Sequence, residues 1–130
     1  MNILFRASMI GKLMTEPRSK AEGPLSQGAK TAIRGLSFGL PAGEQLIGYP
    51  VAGPGNDTRP GHRAYNFVWY RPAAGDTLTR LLTDADGVVH HGGISPNKVD
   101  WRQVANMRQD ARVLLAPQFA EIIEKTAQPF

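Results

Sequence analysis

The run Ala64-Tyr65-Asn66-Phe67-Val68-Trp69-Tyr70 constrains the fold of this 130-residue chain more than any other. Aromatic and β-branched residues suit a pleated, half-buried surface, and successive side chains in a strand point to opposite faces. Tyr65, Phe67 and Trp69 therefore share one face, and Asn66, Val68 and Tyr70 the other. A strand apolar on both faces is expected to be central and covered. The rest of the chain has to supply its neighbours and its cover.

Two segments predict those neighbours. Leu36, Phe38 and Leu40 alternate with Ser37 and Gly39, and the turn Pro41-Ala42-Gly43 follows. Next, Gln45, Ile47, Tyr49 and Val51 form one face of a second strand, with Leu46, Gly48 and Pro50 on the other. Pro50 cannot donate to a ladder, so the strand is at an edge there or bulged. Gly48 beside it permits close approach of either a neighbouring group or a flat ligand, and the pattern leaves both readings open. The Gly/Pro/Asn/Asp-rich connection 52–63 is expected to be mobile.

The second half of the chain reads as helices. Asp76 predicts a cap for a helix to about Ala85, with Leu78, Leu81 and Leu82 on one side. Asp100 followed by Gln103 matches a capping box, and Val104, Met107, Ala111, Leu114 and Leu115 then form a core-facing stripe. Pro117 suits the first turn of a last helix carrying Phe119, Ile122 and Ile123. Strands followed by helices predict an α+β fold, an antiparallel or mixed sheet covered on one side by helices. Residues 1–35, with Pro17, Gly23, Pro24, Gly28 and Gly35 and no sustained periodicity, are expected to be a poorly ordered arm removable at small cost. The folded domain is then 36–130.

Composition narrows the function classes. The chain has no cysteine, so disulfides and thiolate metal sites are excluded. Its net charge of +4 is concentrated in residues 1–30, where five basic residues face two acidic ones; the remaining residues carry ten basic and nine acidic side chains. That balanced body argues against a phosphate-tracking surface, so no nucleic-acid partner is expected. The apolar start Met1–Met14 is interrupted by Asn2, Arg6, Ser8, Gly11 and Lys12 and is too short to span a bilayer, which needs about 20 residues. A cytoplasmic protein without a membrane partner is expected.

Common catalytic signatures are absent, among them the glycine-rich dinucleotide fingerprint, the phosphate-binding loop, G-x-S-x-G and H-E-x-x-H. His62, His90 and His91 are expected to be exposed loop residues and not metal ligands, because adjacent histidines on a strand point opposite ways. Asp84 and Asp86 flank a turn, where Asp serves the backbone, so no acid/base pair is expected there.

Four ordered blocks carry a resemblance: Leu40 to Pro54, Tyr65 to Pro72, Leu81 to Gly87, and Leu114 to Phe119. In order and separation they resemble the middle portion of the FAD-dependent aromatic hydroxylase family of the 2,6-dihydroxypyridine 3-monooxygenase type, over about residues 37–130. Members of that family use NAD(P)H to reduce FAD, and oxygen then hydroxylates an electron-rich ring. The resemblance implies that this segment is the substrate-binding sheet lying over the flavin ring, with Ile47, Gly48, Tyr49 and Pro50 as substrate-cavity candidates. It implies an aromatic substrate, with FAD and NAD(P)H as cofactors. The family's glycine-rich fingerprint has no counterpart in the 130 residues, and residues 1–35 do not match. The chain alone is therefore expected to hold no cofactor and to be inactive until joined to a flavin-binding portion. The alternative is a non-enzymatic module that binds a partner, or a second copy of itself as a homodimer, through an exposed sheet or hydrophobic face.

Overall fold

In the computed structural model, the described residues are 5–14, for which the backbone alone is described, and 25–126. The elements are strand β1 (Phe5–Met14), helix α1 (Gln27–Ala32), strands β2 (Ser37–Gly39), β3 (Gln45–Val51) and β4 (Ala64–Ala73), and helices α2 (Gly75–Leu81), α3 (Trp101–Leu114) and α4 (Pro117–Lys125). The strands form one antiparallel sheet in the order β1-β4-β3-β2. The α+β class follows, with β4 inside the sheet as its composition requires.

Tyr65, Phe67 and Trp69 are fully buried on one face of β4. Across the β3–β4 register they stand opposite Pro50, Gly48 and Leu46 respectively. Val104, Met107, Ala111 and Leu115 of the α3 stripe and Phe119, Ile122 and Ile123 of α4 close over this face as one cluster. Leu114, assigned to the same stripe from sequence, is 44% exposed. With Ala111 and Leu115 already inward at the last turn, its position is rotated off the buried side.

Helices cover the sheet on one side, as the predicted fold class has it, but the expectation that β4 is covered on both faces fails: Asn66, Val68 and Tyr70 are only half-buried. The paired register sets Gln45, Ile47 and Tyr49 across from Tyr70, Val68 and Asn66, and Phe38 beside Ile47. Phe38 is 52% exposed and Tyr49 39%, so this open face presents apolar and aromatic groups to solvent.

The segment expected to be a poorly ordered arm contains two elements. All ten residues of β1 pair with β4, from Phe5↔Ala73 to Met14↔Ala64. The backbone ladder, which needs no period-2 pattern, orders a segment whose composition gives little sign of a strand. In α1, Ser26 caps the helix by accepting from the Ala29 N–H, and Ala29 is fully buried. Glu121 of α4 accepts from the Ser26 backbone N–H at 2.7 Å and from its hydroxyl, tying α1 to α4. The remainder of the expected arm, residues 1–4 and 15–24, lies outside the described residues.

The helix ends also separate expectation from structure. At α3 the Asp100 side chain accepts from the Arg102 N–H, and the Gln103 N–H bonds the Asp100 carbonyl. Pro117 opens α4 as predicted. The helix predicted over 76–85 runs instead from Gly75 to Leu81, has Ala74 rather than Asp76 at its cap position, and buries no residue fully. It stops early because Asp84 organises the turn that follows. Its carboxylate accepts from the Asp86 and Val88 N–H groups at 2.9 and 3.0 Å and lies 2.8 Å from His90 Nε2.

The 52–63 connection is likewise built rather than loose. A short 3-10 turn spans Pro54–Asn56, the Gly53 N–H bonds the Asp57 carbonyl, and Arg59 pairs with Asp57. A side chain at Gly53 would run into the His62 carbonyl, so glycine is required where the two ends of the loop meet. Pro50 behaves as expected, since β2 pairing ends at Ser37↔Gly48 and leaves β3 an edge beyond it.

Three outcomes follow from this packing. Phe67→Ala should cost about 3–5 kcal/mol in urea denaturation, the scale of an emptied aromatic core site. Removal of residues 1–35 should lower the melting temperature rather than leave it unchanged, because it exposes the core around Ala29 and strips β4 of a neighbour. Asp84 is held below the usual carboxylate range by its hydrogen bonds with His90 and the Val88 N–H. Its contribution is full above the ordinary carboxyl pKa of about 3.9 and fades as pH falls through the lower folded value, so Asp84→Asn should flatten the acid limb of a stability–pH curve.

Candidate functional site

The four residues singled out on β3 divide between the two faces of the sheet. Ile47 and Tyr49 lie on the open face, opposite Val68 and Asn66. Gly48 and Pro50 lie on the helix-covered face, opposite Phe67 and Tyr65. A Cβ built on Gly48 would stand 2.7 Å from Tyr65 Cζ, so the group approaching this glycine is the buried tyrosine ring. Of the two readings left open from sequence, the neighbouring-group one is met by Tyr65. Burial raises the pKa of that tyrosine, and its hydroxyl stays a neutral core group.

On the open face the Asn66 side-chain amide donates to the Tyr49 hydroxyl at 3.0 Å. This polar pair sits beside Ile47 and Val68, with Phe38 further along the register. Sequence reading found Tyr49 and missed Asn66, which looks like an ordinary polar alternation within β4. Only the register Tyr49↔Asn66 makes them a unit.

A second missed group joins three elements. Arg71 of β4 donates to Glu44 at 2.9 Å and to Asp110 of α3 at 2.8 Å, and its guanidinium lies 4.5 Å from the Trp69 ring centroid. Trp69 Nε1 donates to the same Glu44 at 3.2 Å. Burial disfavours the Arg71 charge, but the hydrogen bonds to Glu44 and Asp110 outweigh it and the pKa is raised. With every partner satisfied inside the fold, the group braces the structure rather than awaiting a ligand.

The other candidates settle into structural roles. Asp84 is spent on its turn, and Asp86 supplies only a backbone N–H to it. His90, expected to be exposed, is half-buried against Asp84, while His62 and His91 are exposed. Among the described residues no group of three His, Cys, Asp or Glu could hold a metal. An open cleft of about 550 Å³ lies between α2 and the start of α3, lined by Arg80 and Arg102 but also by Asp76 and Asp100. Arg102 is paired with Asp100 at 3.1 Å, and none of the β3 candidates reaches this cleft.

The fit to a dinucleotide can be judged from the helix amino ends, where backbone N–H groups ordinarily bind diphosphates. At α1 the Ser26 N–H is taken by Glu121, and at α3 the Arg102 N–H is taken by Asp100. The first turn of α2 carries Asp76, and α4 begins with proline. The sheet is antiparallel throughout and contains no parallel strand–helix–strand unit. The described residues therefore do not fit the diphosphate of FAD. No described helix is long and apolar enough to cross a membrane.

The comparisons agree with this architecture. In solved structures the chain is similar to the 2,6-dihydroxypyridine-3-hydroxylase from Arthrobacter nicotinovorans, with a TM-score of 0.78 at 22% identity. The match covers 96% of this chain and 30% of that one, so the chain spans under a third of the length of the protein it resembles. At that identity the likeness establishes a shared fold. No curated protein matches. The family model described as FAD binding domain-like matches residues 21–130, and the chain belongs to that family.

Proposed function

We propose that this chain is the substrate-binding sheet of an FAD-dependent, NAD(P)H-using monooxygenase that hydroxylates an aromatic or hydroxypyridine ring. The observation that carries the reading is the open sheet face. An antiparallel sheet in a family of flavin proteins presents the exposed Phe38 and Tyr49 and the half-buried Ile47 and Val68 on one side, while α3 and α4 pack over the other. A flat apolar wall of this kind suits a planar ring, and closure against a second wall would exclude water from it. Its fold neighbour is named for hydroxylation of 2,6-dihydroxypyridine, which makes an oxygen-bearing pyridine the leading substrate class.

FAD, reduced by NAD(P)H, would supply the oxygen chemistry, and its diphosphate would be held by a flavin-binding portion outside these residues. This chain's part is to present the ring and exclude solvent. Of the four β3 candidates, Ile47 and Tyr49 serve as wall residues, while behind them Gly48 lets Tyr65 pack close and Pro50 stands opposite Tyr65. This unit would include β1 and α1 together with residues 36–130, acting in the cytoplasm. A second reading, self-association into a homodimer without catalysis, draws on the same exposed Leu36, Phe38 and Leu40, because such a patch favours any apolar partner.

Exchange of this chain into the corresponding portion of the Arthrobacter nicotinovorans hydroxylase tests the reading. The hybrid should bind FAD and show ring-dependent NAD(P)H oxidation. Tyr49→Ala should then lower product formation by about 10- to 100-fold, the scale of misplacing a reactant by roughly 1 Å, with flavin content unchanged. Equal product yield with and without Tyr49 would remove the wall from the active site. Sedimentation of the isolated chain as a concentration-independent dimer, abolished by Phe38→Glu, would favour the second reading.

A further inference from the structure

Resting on the wall reading above, we infer that Tyr49 and Asn66 form a polar edge that selects rings carrying a hydrogen-bond acceptor and a donor on adjacent ring positions. The two residues are cross-strand partners on the open face, and the Asn66 amide nitrogen donates to the Tyr49 hydroxyl oxygen at 3.0 Å. A hydroxyl that accepts one hydrogen bond still has its own O–H to donate, and an amide that donates through nitrogen keeps its carbonyl oxygen to accept. Among the described residues no group takes up either function. The pair therefore offers one donor and one acceptor side by side, flanked by Ile47 and Val68.

Exchange of the amide nitrogen and oxygen leaves this conclusion standing. The Tyr49 hydroxyl would then donate to the Asn66 carbonyl oxygen, leaving the amide N–H as the donor and the hydroxyl oxygen as the acceptor. One of each is presented either way. A cyclic amide, with its C=O next to its N–H, matches that edge, and so does a ring nitrogen beside a hydroxyl-bearing carbon. A plain hydrocarbon ring meets only the apolar flank and leaves the polar pair to water. Sites that hydrogen-bond a ligand group reject analogues lacking it, because their own polar atoms then go unpaired.

The test uses the full chain and three small probes, 2-pyridone, N-methyl-2-pyridone and benzene, titrated while backbone amide resonances of β3 and β4 are followed by NMR. 2-Pyridone should shift Tyr49 and Asn66 and bind about 5- to 30-fold more tightly than N-methyl-2-pyridone, which keeps the acceptor and lacks the donor. The double variant Asn66→Ala/Tyr49→Phe should erase that preference while leaving the shifts at Ile47 and Val68, and either single variant should weaken 2-pyridone. Tyr49 is 39% exposed, so its ring-preserving variant should keep the fold, checked by an unchanged melting temperature. Equal affinities for all three probes, with shifts on the open face, would overturn the selective edge and leave the wall intact. Absence of shifts on that face with every probe would overturn the wall reading and the edge with it.

Discussion

Burial of Tyr65, Phe67 and Trp69 is the constraint from which the rest of the structure follows. Three large aromatic groups on alternate positions of one strand cannot be hidden by a sheet alone, and α3 and α4 lie across them to form the core. The same stripe dictates the partner strand. Where Tyr65 turns inward, β3 must have no side chain, and Gly48 meets that demand. Trp69 brings a polar N–H into the core, and Glu44 accepts from it at 3.2 Å. That carboxylate in turn holds Arg71, which covers the Trp69 ring and reaches Asp110 on α3. The turn between β2 and β3, the central strand and the long helix are thus joined through Arg71 and the Trp69 ring it covers. A half-buried guanidinium needs its partners supplied together, and here Glu44 comes from the turn and Asp110 from α3.

Much of this order was legible from local pattern. Alternation located β2, β3 and β4, and the Asp100 and Pro117 signals placed the starts of α3 and α4. Those features depend on neighbouring residues, which the sequence shows directly. The strand β1 was not legible, because Phe5–Met14 gains its order from pairing with a strand some sixty residues later. The Arg71 group escaped for the same reason, since Glu44, Arg71 and Asp110 are distant in the chain. At α2 the local signal itself misled: Asp76 and three leucines resemble a longer amphipathic helix, but the Asp84 carboxylate satisfies turn N–H groups and ends it. The loop 52–63 read as mobile because its composition favours turns, yet turn residues can also knit a loop to itself, as Asp57 and Arg59 do.

The candidate site was half legible. A resemblance singled out one stretch of β3, but a strand of consecutive candidates cannot act as one surface, because its residues alternate between faces. Register then separates Ile47 and Tyr49 from Gly48 and Pro50, and brings in Asn66 from the adjacent strand. The glycine that suggested an open ligand surface serves the opposite face, where it admits a tyrosine ring. This division makes the two sides of the sheet interdependent: the close fit behind β3 fixes the strand whose front carries Tyr49.

The same logic bears on how a flavin family can include this fold. Dinucleotide binding needs unshielded helix amino ends and a glycine turn, whereas the amino ends here are occupied by Glu121 and Asp100 or carry Asp76 and proline. Those carboxylates stabilise their helices through the helix dipole and would repel a diphosphate for the same reason. The described helix amino ends are committed to the stability of the fold and offer no diphosphate site. The open face instead sets Ile47 and Val68 beside the hydrogen-bonded Tyr49–Asn66 pair, so the polar and apolar groups of the sheet front are placed by register alone.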